Sequence, residues 1–199
     1  MPFTNYAVET FISRRIVEVT SVGVIDVSPE FPHASSWLSR LGMLAVLTNQ
    51  FAPETRPFAI HFVRKVEMSL TEYARAKLEL EALIARTGRW SPYYRALHHV
   101  ETSTSLLYQA YDLSRKKLGI QLFQPGDGSS LQRLNCIYNK SKHEPAGQDD
   151  PVWLSNTSIH TSDVELNFPE YEAMLRECST VAEKITSSQQ PQATAAADA

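Results

Sequence analysis

Arg133, Asn135, Asn139, Lys140 and His143 fall within residues 131–143, and a helix through that segment would line them along one polar stripe. Measured from His143 at about 100° per residue, Gln132 and Cys136 lie about 20° to either side, Asn139 about 40°, Lys140 about 60°, and Asn135 and Arg133 about 80° away. Leu131, Leu134, Ile137 and Tyr138 take the opposite half. An imidazole that changes charge near neutral pH, next to a cation and two amides, has the parts needed to bind or cleave a phosphodiester. An ordinary amphipathic helix shows water the same kind of face, and a histidine at a helix C-terminus also serves to cap its last carbonyls.

Glu101 lies on a preceding helix at the margin of the apolar stripe that contains Leu97 and Tyr108, where a carboxylate needs a partner. Arg133 or His143 from the neighbouring helix could supply one, and a structural ion pair is the plain reading of that group. His98 and His99 are adjacent, so they point about 100° apart and cannot both face one metal on a regular helix. Arg115, Lys116 and Lys117 end the same helix, where positive charge complements the dipole. Phosphate contact is their secondary reading.

Several elements must position these groups. Residues 14–27 are rich in β-branched side chains and partly alternate, which predicts a strand or hairpin at the start. Pro29 and Pro32 break the chain, and Ser35 or Ser36 can cap a helix carrying Trp37, Leu41, Leu44 and Ala45 to about Asn49. Pro57 suits a first helical turn, and Phe58, Phe62, Val66, Leu70, Tyr73, Leu80 and Leu83 recur at helical spacing until Thr87 and Gly88. A second long helix from Ser91 carries Leu97, Val100, Thr104, Leu107, Tyr108, Tyr111 and Leu118, and should pack antiparallel on the first.

The turn-rich residues 124–130 can cap the stripe helix through Asp127, Ser129 or Ser130. Residues 144–151 break that helix near His143, after which Val152 with Leu154 and Val164 with Leu166 suggest a small hairpin or irregular arm. Phe168 opens a last helix with Tyr171, Met174, Leu175, Cys178, Val181 and Ile185 at core spacing. The text from Thr186 onward has no large apolar residue, so residues 187–199 are expected to be a disordered tail. The expected fold is therefore mainly α, a single bundle domain of about five helices over 1–186, with a short N-terminal β segment and a small arm before the last helix.

Helix order, with Arg133 and Asn139 on a penultimate helix ending in a histidine and a core helix following, resembles the HEPN superfamily over roughly residues 57–186. That superfamily contains helical-bundle endoribonucleases of toxin–antitoxin and phage-defence systems, which act without metal, and many inactive RNA-binding or scaffolding members. The resemblance implies His143 as general base on a ribose 2′-hydroxyl or general acid on the leaving oxygen. Lys140 or Arg133 would stabilise charge on the phosphate and Asn139 would hold the imidazole or the scissile group, with Asn135 and Glu101 in support.

No metal or other cofactor enters that scheme. Active members carry a histidine four to six residues beyond an arginine, whereas nine residues separate Arg133 from His143, and Lys140 is the nearer cation. Arg56 and His61 meet the spacing, but a chain of this length yields about one such pair by chance. A lone helix face is not a cleft, so a homodimer in which a second copy roofs the stripe is expected.

With 199 residues, 43% of them hydrophobic, the chain can bury one substantial core. A formal charge of −3 gives no general attraction to nucleic acid or an anionic membrane, so any RNA site must be local. Cys136 and Cys178 have no metal or redox spacing, and no apolar run is long enough to span a bilayer, which points to a reduced, cytoplasmic setting without membrane insertion. RNA is one expected partner. The other reading is a non-catalytic interaction protein, such as an antitoxin, immunity or scaffold subunit, whose stripe faces a protein partner or water.

Overall fold

A computed structural model describes residues 5–47, 52–85, 90–118, 121–142 and 151–187. Among these residues are seven α-helices and one small antiparallel sheet, so the chain is mainly helical, as its periodicity predicts. The helices are α1 (Asn5–Phe11), α2 (Arg14–Glu18), α3 (Trp37–Leu47), α4 (Arg56–Ala85), α5 (Ser91–Leu118), α6 (Ser130–Lys140) and α7 (Phe168–Ser187). The strands β1 (Trp153–Leu154), β2 (Ser158–His160) and β3 (Glu165–Asn167) lie between α6 and α7. Among the described residues no helix is long and apolar enough to cross a membrane.

The long pair α4 and α5 runs antiparallel, with Ser69 meeting Ser103, Glu72 meeting His99 and Glu79 meeting Arg95. Ser69 Oγ donates to the Ser103 carbonyl at 3.0 Å and Ser103 Oγ donates to the Ser69 carbonyl at 2.8 Å. Each hydroxyl has then used its only proton, so the Tyr171 hydroxyl must donate across the 2.6 Å contact to Ser103 Oγ. Small side chains at this crossing let α4 and α5 approach closely while α7 closes over them. Tyr73 and Tyr171 stack there with centroids 4.8 Å apart, and burial pushes the Tyr171 phenol up to about 12. Leu134 and Ile137 of α6 and Leu175 and Cys178 of α7 enter the same core.

Residues 14–27 differ from the strand expected there. Ser13 caps α2 by accepting from the Arg15 amide at 3.2 Å, and the chain from Val19 to Val27 is irregular, leaving α2 extended at Val19, bending at Ser21 and pairing with no strand. Its backbone donors go to side chains instead. Asn156 Oδ1 accepts from the amides of Thr20 (2.8 Å) and Ser21 (3.1 Å), and Glu172 Oε1 accepts from Ile25 at 2.8 Å. Val19, Val24 and Val27 are buried, which accounts for the β-branched content that reads as a strand. Glu172 is only 2% exposed; its Oε1 also accepts from the Tyr73 hydroxyl at 3.0 Å, while Arg176 lies 3.9 Å from its Oε2 and grips Glu30 at 2.9 Å.

The arm before α7 is a three-stranded meander rather than a hairpin, with Leu154 opposite Ile159 and Ile159 opposite Leu166. Its middle strand carries Ile159 between Ser158 and His160, too little apolar text to declare itself. Phe58 and Val181, expected in the core, are 38% and 42% exposed because they sit where α4 begins and α7 nears its end. The residues expected as a tail fall almost wholly in 188–199, outside the described residues.

Candidate functional site

Helix α6 is set by its start and its buried side. Ser129 Oγ accepts from the Gln132 amide at 3.2 Å, Gln132 Oε1 accepts from the Gly128 amide at 2.7 Å, and Asp127 accepts from the amides of Ser129 (2.9 Å) and Gln124 (2.8 Å). Those bonds, the ones around Ser129 foremost, hold the Asp127 carboxyl below its usual range. Gly126 and Gly128 have φ of 83° and 68°, which this tight turn requires. With Leu134 and Ile137 buried, the polar stripe takes the rotation expected of it.

The stripe does not gather into one site among the described residues. Arg133 ion-pairs with Glu170 in the first turn of α7, and its Nε is buried without a hydrogen bond. Lys140 pairs with Asp163 at 2.9 Å and donates to Ser162 Oγ at 3.4 Å, in the turn between β2 and β3. Hydrogen bonds from Lys140 and Ser162 hold the Asp163 carboxyl below its usual range. Asn139 Nδ2 donates to Asn135 Oδ1 at 3.1 Å. Glu101 lies half-buried on α5, and Arg133, one partner expected for it, is held by Glu170 instead. His143 lies outside the described residues.

Asn135 does line a hollow of about 670 Å³, together with Tyr108, Arg115 and Lys116 of α5 and Gln121, Leu122, Phe123 and Pro125 of the α5–α6 connector. Arg115 and Lys116 share the Asp112 carboxylate, at 2.7 and 2.6 Å, which leaves one net positive charge among these three groups. Burial pushes the Asp112 carboxyl up, but hydrogen bonds from Lys116 and Arg115 outweigh it and hold it below the usual range. Burial and then Asp112 push the Tyr108 phenol up, against a hydrogen bond with Asn135. The Tyr108 ring lies 4.6 Å from that of Tyr138, which carries the Lys142 ammonium 3.4 Å from its centroid.

Two cations, two amides and two aromatic rings thus face one concavity, and the described residues that line it include no carboxylate, thiol or imidazole. That composition suits holding a charged, planar ligand better than moving protons. The sequence reads Arg115 and Lys116 first as dipole partners and second as phosphate contacts. Nothing periodic marks the connector residues that complete the hollow.

A second constellation is missed by motif reasoning. Ser158 Oγ lies 2.9 Å from His160 Nε2 and donates to Glu165 Oε1 at 2.7 Å. A serine and histidine two apart on a strand, facing a glutamate on the next strand, are the signal that could have revealed it. The wiring is not that of a nucleophilic triad, because the carboxylate accepts from the serine, lies 3.9 Å from His160 Nε2, and the serine is fully buried. His160 stacks on Trp153 at 5.6 Å, and the Arg15 guanidinium lies 4.4 Å from the Trp153 centroid, tying α2 to the sheet. Among the described residues no group of three or more potential ligands could hold a metal ion.

No protein-family model, curated protein or solved structure matches this chain.

Proposed function

We propose that this protein binds single-stranded RNA, gripping it at the hollow between the end of α5, the 121–125 connector and α6, without cutting it. The observation that carries the reading is the convergence of Arg115, Lys116, Tyr108, Phe123, Gln121 and Asn135 on one concavity. The cations would meet phosphate oxygens, the rings would stack with bases, and the amides would reach base edges or ribose hydroxyls. Binding without cleavage is favoured because Arg133 and Lys140 are each occupied by a carboxylate, Glu170 and Asp163, on separate elements.

Fluorescence anisotropy with a labelled single-stranded RNA in chelator tests this. Two phosphate contacts on a single strand give a log–log salt slope of about −1.4, roughly a seven-fold loss of affinity between about 50 and 200 mM salt. Arg115→Ala and Lys116→Ala should each weaken binding and flatten that slope. Absence of RNA binding, or binding untouched by both variants, overturns the proposal. Cleavage that disappears in His143→Ala would replace it with the HEPN-like ribonuclease reading, and capture of a protein in place of RNA with the interaction reading.

A further inference from the structure

On the far side of the α5 terminus lies a second concavity, an apolar groove of about 220 Å³ lined chiefly by Phe58, Phe62, Leu113, Val181 and Ile185, with Lys117 at its rim. The Lys117 ammonium stands 5.3 Å from the Phe58 ring centroid and pairs with no carboxylate among the described residues. Val181 and Phe58 are both partly open to solvent here, side by side with the groove.

The outward stripe of α7 specifies what covers the groove. Glu177, Thr180, Val181 and Lys184 are all exposed, while Leu175, Cys178 and Ala182 face the core. Glu177 and Lys184 are seven residues apart, so they share one face about 10.5 Å apart along the axis, too far to pair with each other. Neither has an ionic partner among the described residues; Glu177 accepts only a hydrogen bond from the Tyr111 hydroxyl, at 2.8 Å. A two-fold axis between Thr180 and Val181 would set Glu177 of one helix against Lys184 of an antiparallel copy, and the reverse. The stripe is complementary to itself, which is the requirement of an isologous interface.

We infer that a second copy of this chain covers the groove, the two α7 helices packing antiparallel about Val181 with two reciprocal Glu177–Lys184 pairs. Val181 is the apolar centre of the contact and the charges fix its register. The residues differ from those of the RNA-binding hollow, so the two proposals stand or fall separately.

Sedimentation equilibrium of the full chain over about 1–100 μM tests it. A dimer is expected, and Val181→Asp should abolish it. Glu177→Lys and Lys184→Glu should each weaken self-association by about ten-fold, since each places like charges opposite one another twice. The double variant should restore it, and a mixture of the two single variants should form a heterodimer. Because all three positions are exposed, cooperative melting curves of the separate variants at dilute, monomeric concentrations will confirm that they fold, with Glu177→Lys a few degrees lower for the lost Tyr111 hydrogen bond. A monomeric wild type, a dimer indifferent to Val181→Asp, or a double variant that fails to restore association overturns the inference.

Discussion

Ser130 Oγ stands 3.3 Å from the Arg133 guanidinium and 3.2 Å from the Glu170 carboxylate, completing a three-way contact that ties α6 to the first turn of α7. Arg133 is thereby a bracing residue between helices. Arg133→Ala should lower stability by about 1 kcal/mol, roughly 2–4 °C in Tm for a chain of this size. RNA affinity should change less than about two-fold. Thermal melts beside anisotropy titrations check this, and a large loss of affinity at unchanged Tm would return the binding surface to the stripe.

The stripe shows where reading a sequence stops. Its angular arrangement is legible from the helix period, and so are helices α3 to α7, because their apolar residues repeat over three turns or more. The groups that occupy the stripe are not legible, since Glu170 lies 37 residues from Arg133 and Ser162 lies 22 from Lys140. No local pattern encodes such pairings. Residues 14–27 read as a strand for the same reason: buried valines imitate one while the hydrogen-bond acceptors come from Asn156 and Glu172. The hollow escaped because its connector residues have no periodicity at all.

Two glycines should respond in opposite ways to alanine. A Cβ at Gly23 would lie 2.1 Å from the Asn156 carbonyl oxygen, a backbone atom that cannot swing aside. Gly23→Ala should therefore cost about 1–3 kcal/mol. Gly42, inside α3, has nothing within 4 Å of an added Cβ, so Gly42→Ala should gain about 0.5–1 kcal/mol from helix propensity. Urea unfolding midpoints of the two variants on either side of wild type are the expected result.

His160 should make stability depend on pH below neutrality. Burial lowers its pKa from the usual 6.5, Glu165 opposes that shift, and Arg15 adds to it. As pH falls below about 6.5 the unfolded chain takes up a proton that folded His160 still refuses, so the unfolded state gains. The contribution is complete above that pH, shrinks as pH falls toward the lowered folded value, and is constant beneath it. His160→Gln should flatten this part of a Tm-against-pH curve between about pH 5 and 7. An imidazole titration at or above 6.5 by NMR would contradict the mechanism.

The clasp on residues 19–27 orders events in time. Its acceptors lie 135 to 147 residues downstream of the amides they bind. On the ribosome, the α4–α5 hairpin can close from neighbouring text, whereas the amides of Thr20 and Ser21 must wait for Asn156 and that of Ile25 for Glu172. A nascent chain halted before Asn156 therefore leaves all three of these amides without the acceptors that hold the opening segment in place.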